Sequence, residues 1–276
     1  MSSSSRGTLL HDAAAIPHDP AMRELTFVGT GEAFDPALPN TSLLYSGRKT
    51  LLLDCGYSIP HAFWQISTDP SLLDAIYISH IHADHSFGLP SLLLWMRIHG
   101  RQRPLKIIGS PGVGVWLEKL TQLAYPGSFP PGEMFAMEPT EIAPDRPLLL
   151  DDTRLSVALS THGVRNQSVR IEEDNTAICY SGDGIPTPGT RALFENADLL
   201  VHECYWPEGN AHGHSNVQDL MPMARDVGVK TLALLHLGFD QKTEIHAAVE
   251  AWRGAPQILL PAPGEKFSVS NPGPIA

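Results

Sequence analysis

Between Ser79 and His85 the chain reads Ser-His-Ile-His-Ala-Asp-His, which sets three imidazoles and one carboxylate within six residues. Borderline nitrogen and hard oxygen donors in one short stretch suit zinc, manganese or iron. His80 and His82 alternate and could face one ion, whereas Asp84 and His85, on the following bend, could face a second. Two ions about 3.5–4 Å apart form a clamp for hydrolysis, because a water bridging them is acidified by both. A lone histidine is more often a packed or solvated side chain, but a core has no use for this cluster.

Such a stretch needs elements to aim it. Residues 75–79 are apolar and β-branched enough for a buried strand. Phe87-Gly88-Leu89-Pro90 leads into an apolar helix over 91–96, so the cluster sits in the turn between them. The same arrangement recurs along the chain. Asp54 follows the apolar run 51–53, and His162 follows a strand pair over 148–161. Asp183 follows a strand over 176–180 and is flanked by Gly182 and Gly184, which let backbone approach closely. His202 and Glu203 end the run 199–201, and His236 ends 231–235. Polar residues that repeatedly terminate strands fit a site assembled along one edge of packed sheets. Asp54 could be a simple turn cap; beside the histidine loop it is read as an acceptor that holds that loop in place.

The remaining pattern predicts an opening strand over 23–29, a hairpin over 41–54, one helix or two short ones over 59–74, a strand over 105–109 and a helix over 112–123. Strands over 168–171 and 176–180 flank an acidic turn, 172–175. Helices over 216–227 and 240–252 and a strand over 258–260 complete the chain. Strands then helix, twice over, predict two α/β halves sharing one site. Segment 125–147, rich in proline and glycine and carrying Phe129, Met134, Phe135 and Met137, predicts a long irregular loop that is a lid, a dimer contact or a rigid connector. Gly29-Thr30-Gly31 lacks the Lys-Ser/Thr and following helix that a phosphate cradle needs. His61, His99 and His246 have no ligand spacing and are read as structural.

The balance of 19 basic against 30 acidic residues, a formal charge of −11, argues against a broad nucleic-acid or anionic-membrane surface. The basic cluster that stands out is Arg97, Arg101, Arg103 and Lys106. Cys55, Cys179 and Cys204 are widely spaced, which suggests buried thiols in a reducing compartment, the cytoplasm. No apolar run approaches the ~20 residues of a membrane span. Residues 1–21, serine-rich and without a signal-peptide pattern, are expected to be a flexible tail ahead of a single domain over 22–276.

The motif His80-x-His82-x-Asp84-His85 resembles the signature of the metallo-β-lactamase superfamily, and Asp54, His162, Asp183 and His236 extend the match through nearly the whole chain beyond the tail. The resemblance implies an α/β fold, a four-layer αββα sandwich. It also implies two divalent metal ions, zinc foremost with manganese or iron as alternatives. His80, His82 and His162 would hold one, Asp84, His85 and His236 the other, and Asp183 would bridge them. Within the superfamily the chain looks most like the ribonuclease Z-like branch, through Phe27-Val28-Gly29-Thr30-Gly31, Phe87-Gly88-Leu89-Pro90, the stretch 197–203 and Gly213-His214-Ser215. In that branch the histidine matching His214 assists phosphodiester cleavage and the glutamate matching Glu203 supports it. The long tRNA-gripping arm of ribonuclease Z, inserted between the residues matching His162 and Asp183, is replaced here by a short hairpin, which speaks against structured tRNA.

The resulting expectation is a dinuclear phosphodiesterase for a small or flexible phosphodiester, with Asp84, His214 and Glu203 serving the chemistry and a homodimer implied by the resemblance. His212, Tyr205 and Trp206 could line the pocket. The same core also serves ester, lactone and aryl-sulfate hydrolases, since fold does not decide substrate. A non-catalytic metal-dependent effector is a third reading, against which the seven retained ligands stand. A flavin-linked di-iron enzyme would carry glutamate where His82 stands.

Overall fold

The structure, a computed structural model, describes residues 22–130, 132–209 and 212–270. The expected tail, 1–21, lies outside them. In the first sheet β1 (Met22–Gly29), β2 (Ser42–Ser46) and β3 (Thr50–Leu53) are antiparallel neighbours, and β4 (Ala75–Tyr77), β5 (Leu105–Gly109) and β6 (Met137–Glu141) extend it in parallel. The second sheet begins as an antiparallel meander of β7 (Leu148–Leu150), β8 (Thr153–Leu159), β9 (Gln167–Glu173) and β10 (Thr176–Tyr180). It continues in parallel through β11 (Leu199–Glu203), β12 (Thr231–Leu235) and β13 (Gln257–Leu259). The last strand, β14 (Lys266–Ser270), returns to pair with β1.

Both sheets are covered on both faces, which is why β3, β4, β11 and β12 are buried at every residue and read as unbroken apolar runs. Between the sheets Phe27, Tyr45 and Leu53 meet Val169, Val201 and Leu235. Helices α1 (Ile59–Ile66), α3 (Leu89–Ile98) and α4 (Val113–Ala124) close the outer face of the first sheet, with a single-turn helix α2 (Ala83–Ser86) between the first two. Phe194 of α5 (Pro188–Phe194), Leu220 of α6 (Val217–Asp226) and Ile245 of α7 (Lys242–Ala251) close the second. The order helix, sheet, sheet, helix is the expected αββα sandwich. Among the described residues no helix is long and apolar enough to cross a membrane.

Three local expectations change. The helix expected over 59–74 stops at Ile66, because Ser67 Oγ takes the Asp69 amide and Asp69 Oδ1 takes the Ser71 amide, turns that compete with the helix ladder. Segment 125–147 is a connector packed on the core: Phe135 is buried, Phe129 and Met134 pack on the same cluster, and β6 emerges from it. Pro139 hid that strand, and it is tolerated because β6 is a sheet edge. The acidic turn is shorter than expected. Asp174 and Asn175 alone form it, with φ of 46° and 64°, the backbone of a two-residue type I′ hairpin. Helix α5, with its Thr187 capping box, and β14 had no counterpart in the sequence reading.

Glu173, just before that turn, is fully buried. Its carboxylate accepts from the Tyr45 hydroxyl and from the Arg48 amide at 2.8 Å, and forms an ion pair with Arg23, whose Nε is 3.1 Å away. It therefore ties the first sheet to the second at the end of the sandwich away from Asp54, Asp183 and His236. Removing one member of a buried ionic network leaves the others uncompensated, at a cost of about 3–5 kcal/mol. Glu173→Ala is expected to lower the unfolding free energy by that amount, read from the urea midpoint at unchanged m.

Candidate metal centre

The strand ends deliver the expected residues to one place. His80, His82, His162 and Asp183 place ligand atoms within 4.8 Å of one another, and so do Asp84, His85, Asp183 and His236. Asp183 belongs to both groups. Its Oδ1 lies 3.2 Å from His85 Nε2, and its Oδ2 lies 3.6 Å from His236 Nε2, 3.8 Å from His80 Nε2 and 4.0 Å from His162 Nε2. Gly182 and Gly184, with φ of 60° and 118°, supply the backbone that turns Asp183 inward. The histidine loop is seated from behind: a Cβ on Gly56 would come within 1.9 Å of the Asp84 carbonyl oxygen, so this position admits only glycine.

Each ring is fixed by what its Nδ1 meets. His85 Nδ1 donates to Asp54 Oδ2 at 2.7 Å, and His162 Nδ1 to the Gly213 carbonyl at 3.0 Å. The Ser79 hydroxyl donates its proton to Asp54, so toward His80 Nδ1, 3.0 Å away, it can only accept. The Thr41 hydroxyl likewise donates to the Gly31 carbonyl and accepts from His236 Nδ1 at 3.2 Å. All four rings therefore carry their proton on Nδ1 and turn a bare Nε2 inward. His82 turns Nδ1 inward instead, 3.2 Å from His162 Nε2.

The convergence of these lone pairs is the test of whether metal ions fit. His80 Nε2, His85 Nε2 and Asp183 Oδ1 are buried with no hydrogen-bond partner, and acceptors facing acceptors in a dry site are tolerable only around cations. Burial pushes the Asp183 and Asp84 carboxyls up, but His236 and His85 outweigh it and hold both below the usual carboxylate range. Burial, reinforced by His85, holds the His80 imidazole well below its ordinary range. At His85 burial works the same way, but the charges of Asp183 and Asp54 prevail and raise it, so this corner calls for a cation as proton or as metal. Anionic carboxylates and neutral imidazoles are what divalent ions require. The donors present fit two of them.

Asp54 is fully buried and accepts from the Ser79 amide and hydroxyl, His85 Nδ1 and the Tyr180 hydroxyl, each at 2.7 Å. It does so from a left-handed backbone, φ 62°, which costs a non-glycine residue energy that this network offsets. On the open side His214 stands by His162, ring centroids 5.1 Å apart, with its Nδ1 3.6 Å from Glu203 Oε2. Glu203 is held through Oε1 by the Gly184 and Ser215 amides at 3.1 and 2.8 Å. Burial works to lower the His214 imidazole, and Glu203 outweighs it and raises it. His82, Asp84, Asp183, Tyr205, Trp206 and His212 line an open cavity of about 520 Å³. His202, within β11, turns away and packs against Phe194. His61, His99 and His246 are not among the groups that could hold a metal.

The sequence reading missed Thr41, Tyr180 and Glu32, the last a buried carboxylate that also lines the cavity. A tyrosine inside an apolar strand reads as core, and a threonine before a strand as a turn residue. Glu32 alone left a signal, an acidic residue after a glycine turn in an otherwise apolar stretch.

The model of the family described as Anti-Pycsar protein Apyc1 matches residues 23–251. Ribonuclease BN of Cronobacter sakazakii is 28% identical over 279 residues, covering 80% of this chain and 91% of its own. The metallo-β-lactamase fold protein YhfI from Bacillus subtilis superposes with a TM-score of 0.76 at 23% identity, over 90% of this chain and all of that one. Human tRNase Z, short form, superposes with 0.71 at 22% identity, over 88% and 98%. The sandwich is the metallo-β-lactamase fold.

Because Asp54 orients His85 and, through Ser79, His80, Asp54→Asn is expected to weaken metal affinity about ten- to a hundredfold. Competition with a chromophoric chelator reads this directly, and unaltered affinity would show that the rings are held by packing alone.

Proposed function

The chain belongs to the family described as Anti-Pycsar protein Apyc1, and from that premise we propose that it is a dinuclear metal-dependent phosphodiesterase acting on small or flexible phosphodiesters. The observation that carries this reading is the pairing of two ligand groups joined at Asp183 with a non-ligand histidine, His214, backed by a buried glutamate. An alcohol leaving from phosphorus needs a proton, and His214 is placed to supply it; the same acid would serve an ester, so the choice of phosphorus leans on the ribonuclease-named relatives. The relatives named ribonuclease and tRNase act, by those names, on RNA, whose backbone is joined by the same bond.

Two divalent ions, zinc by preference, would supply Lewis acidity and an acidified water when bound. His80, His82 and His162 would hold one ion and Asp84, His85 and His236 the other, with Asp183 between. Asp84, which lines the cavity, orients the attacking water and takes its proton. Glu203 keeps His214 protonated and aimed, and His214 gives that proton to the leaving oxygen. Tyr205 and Trp206, edge to face with centroids 4.9 Å apart, form an apolar wall for the leaving group and limit water at that end.

A small substrate follows from the charge map. Arg97 pairs with Glu133, Arg103 with Asp74 and Lys106 with Glu138, while Arg101 is spent on four backbone contacts. The basic cluster seen in sequence is thus neutralised within the fold. The tight turn at Asp174-Asn175 stands where ribonuclease Z carries its arm, which, with the pairing of this cluster, supports a substrate smaller than structured tRNA. Cys55, Cys179 and Cys204 are free and buried, which supports work in the cytoplasm, and a single domain over 22–276 fits the two sheets' shared core.

Purified protein is expected to carry near two divalent ions per chain and to hydrolyse bis(p-nitrophenyl) phosphate, with Asp183→Ala losing both metal and turnover. His214→Ala should lower kcat on a dialkyl-type phosphodiester by about 10²–10⁴. The loss on bis(p-nitrophenyl) phosphate should be smaller, since p-nitrophenolate leaves without a proton. Metal without phosphodiester turnover would refute the reading and direct the search to lactones, esters and sulfates.

A further inference from the structure

One acidic side chain in the catalytic cavity has no part in metal binding or hydrolysis. Glu32 is 2% exposed, yet it lines the cavity together with Asp84, Tyr205 and His214. The backbone fixes it there. Gly31, the residue before it, bridges to Asn40 on one side and to Leu237, directly after His236, on the other, and the Thr30 carbonyl accepts the His236 amide at 2.9 Å. Glu32 is thus held in register with a metal-ligand strand end.

Its carboxylate opens on the cavity: neither oxygen is among the buried polar atoms that lack a partner. Among the described residues its hydrogen-bond donor is the Phe34 amide, 2.9 Å from Oε2, and no lysine, arginine or histidine lies within ion-pair distance. A carboxylate has room for about four donors. The nearby Tyr205 phenol feels the charge: burial raises it, and Glu32 and Asp240 raise it further. A carboxylate oxygen that accepts from one amide and faces a cavity is free to accept from a ligand in place of water.

The reading of the site as a phosphodiesterase, on which this inference rests, says which part of a ligand could donate. The phosphate would be repelled, so the complement must lie on the alcohol side of the ester. An oxygen oriented by the Phe34 amide offers directional lone pairs, which suit a hydroxyl better than a diffuse cationic charge. We propose that Glu32 is a specificity-determining residue: its carboxylate accepts a hydrogen bond from a hydroxyl of the esterified alcohol, so that the site selects polyol esters, of a sugar or of glycerol, over plain alkyl esters.

The test uses the metal-loaded full chain and reads binding of product-like monoesters by calorimetry, which needs no turnover. Ribose 5-phosphate and glycerol phosphate are compared with propyl phosphate and with phosphocholine. A hydrogen bond to a charged acceptor predicts that at least one hydroxyl ligand binds about ten- to a hundredfold tighter than propyl phosphate. Which of the two does so identifies the polyol. Glu32→Ala should bring that ratio close to one. Glu32→Gln, which retains an acceptor for the Phe34 amide and so the loop, should keep only part of it. No preference in the native chain, a ratio that survives Glu32→Ala, tightest binding of phosphocholine, or no binding of any monoester would each overturn the inference. Hydroxyl preference abolished by Glu32→Ala in a protein that cleaves no phosphodiester would instead refute the phosphodiesterase reading and leave the role of Glu32 standing.

Discussion

The fold depends on a point where acceptors face acceptors. His80 Nε2, His85 Nε2 and Asp183 Oδ1 lie there buried and without hydrogen-bond partners, with His162, His236 and Asp84 beside them. Without cations this arrangement is unfavourable by the ordinary cost of burying unsatisfied polar groups. Two divalent ions held there would cross-link the sheets, because the residues that would hold them come from both: Asp84 and His85 from the first, His162, Asp183 and His236 from the second. The metals would therefore act on stability as well as on chemistry, by binding the folded state alone.

The same demand explains the outer layer of contacts. A ring that must present Nε2 has to give up its Nδ1 proton to an acceptor, and the chain meets this four times with four different groups. A carboxylate serves His85, a serine hydroxyl His80, a threonine hydroxyl His236 and a backbone carbonyl His162. Asp54 stands behind two of these and takes a strained backbone to do so. Tyr180 reaches it from the opposite sheet, so the carboxylate that orients the metal ligands also helps to join the layers. At the far end Glu173 does the corresponding work with Arg23 and Tyr45, and the sandwich is pinned at both ends by buried carboxylates.

The open face is organised differently. His214 and Glu203 are not among the metal groups and pair with each other beside the cavity, which is where the proposed mechanism uses them. Glu203 is fixed by two amides, one of them next to Asp183, so the His214–Glu203 pair and Asp183 share one scaffold. In the proposed mechanism, a donor on the loop around His214 and ligands on strand ends would separate what can vary, the leaving group, from what cannot, the spacing of the ligand groups. Glu32 belongs to the variable part.

Sequence alone determined the sandwich and the residues that converge as candidate ligands, because both are local in character. Runs such as 231–235 are apolar without alternation since both faces of the sheet are covered, and each ligand follows such a run directly, so strand and site residue are legible together. His80, His82, Asp84 and His85 are visible as a cluster within six residues. What tertiary structure decided is everything that depends on separations of ten to two hundred residues. Thr41 meets His236 across 195 positions, Tyr180 meets Asp54 across 126, and Glu173, read as part of an acidic turn, makes a buried ion pair with Arg23. The basic stretch 97–106, a candidate contact surface in sequence, is neutralised by Asp74, Glu133 and Glu138 once folded. A hydroxyl, a phenol or a charge has no fixed role until the chain supplies its partner. Residue type and periodicity therefore fix where metal can bind, and only long-range contacts fix which proton each ring carries and which charges remain free.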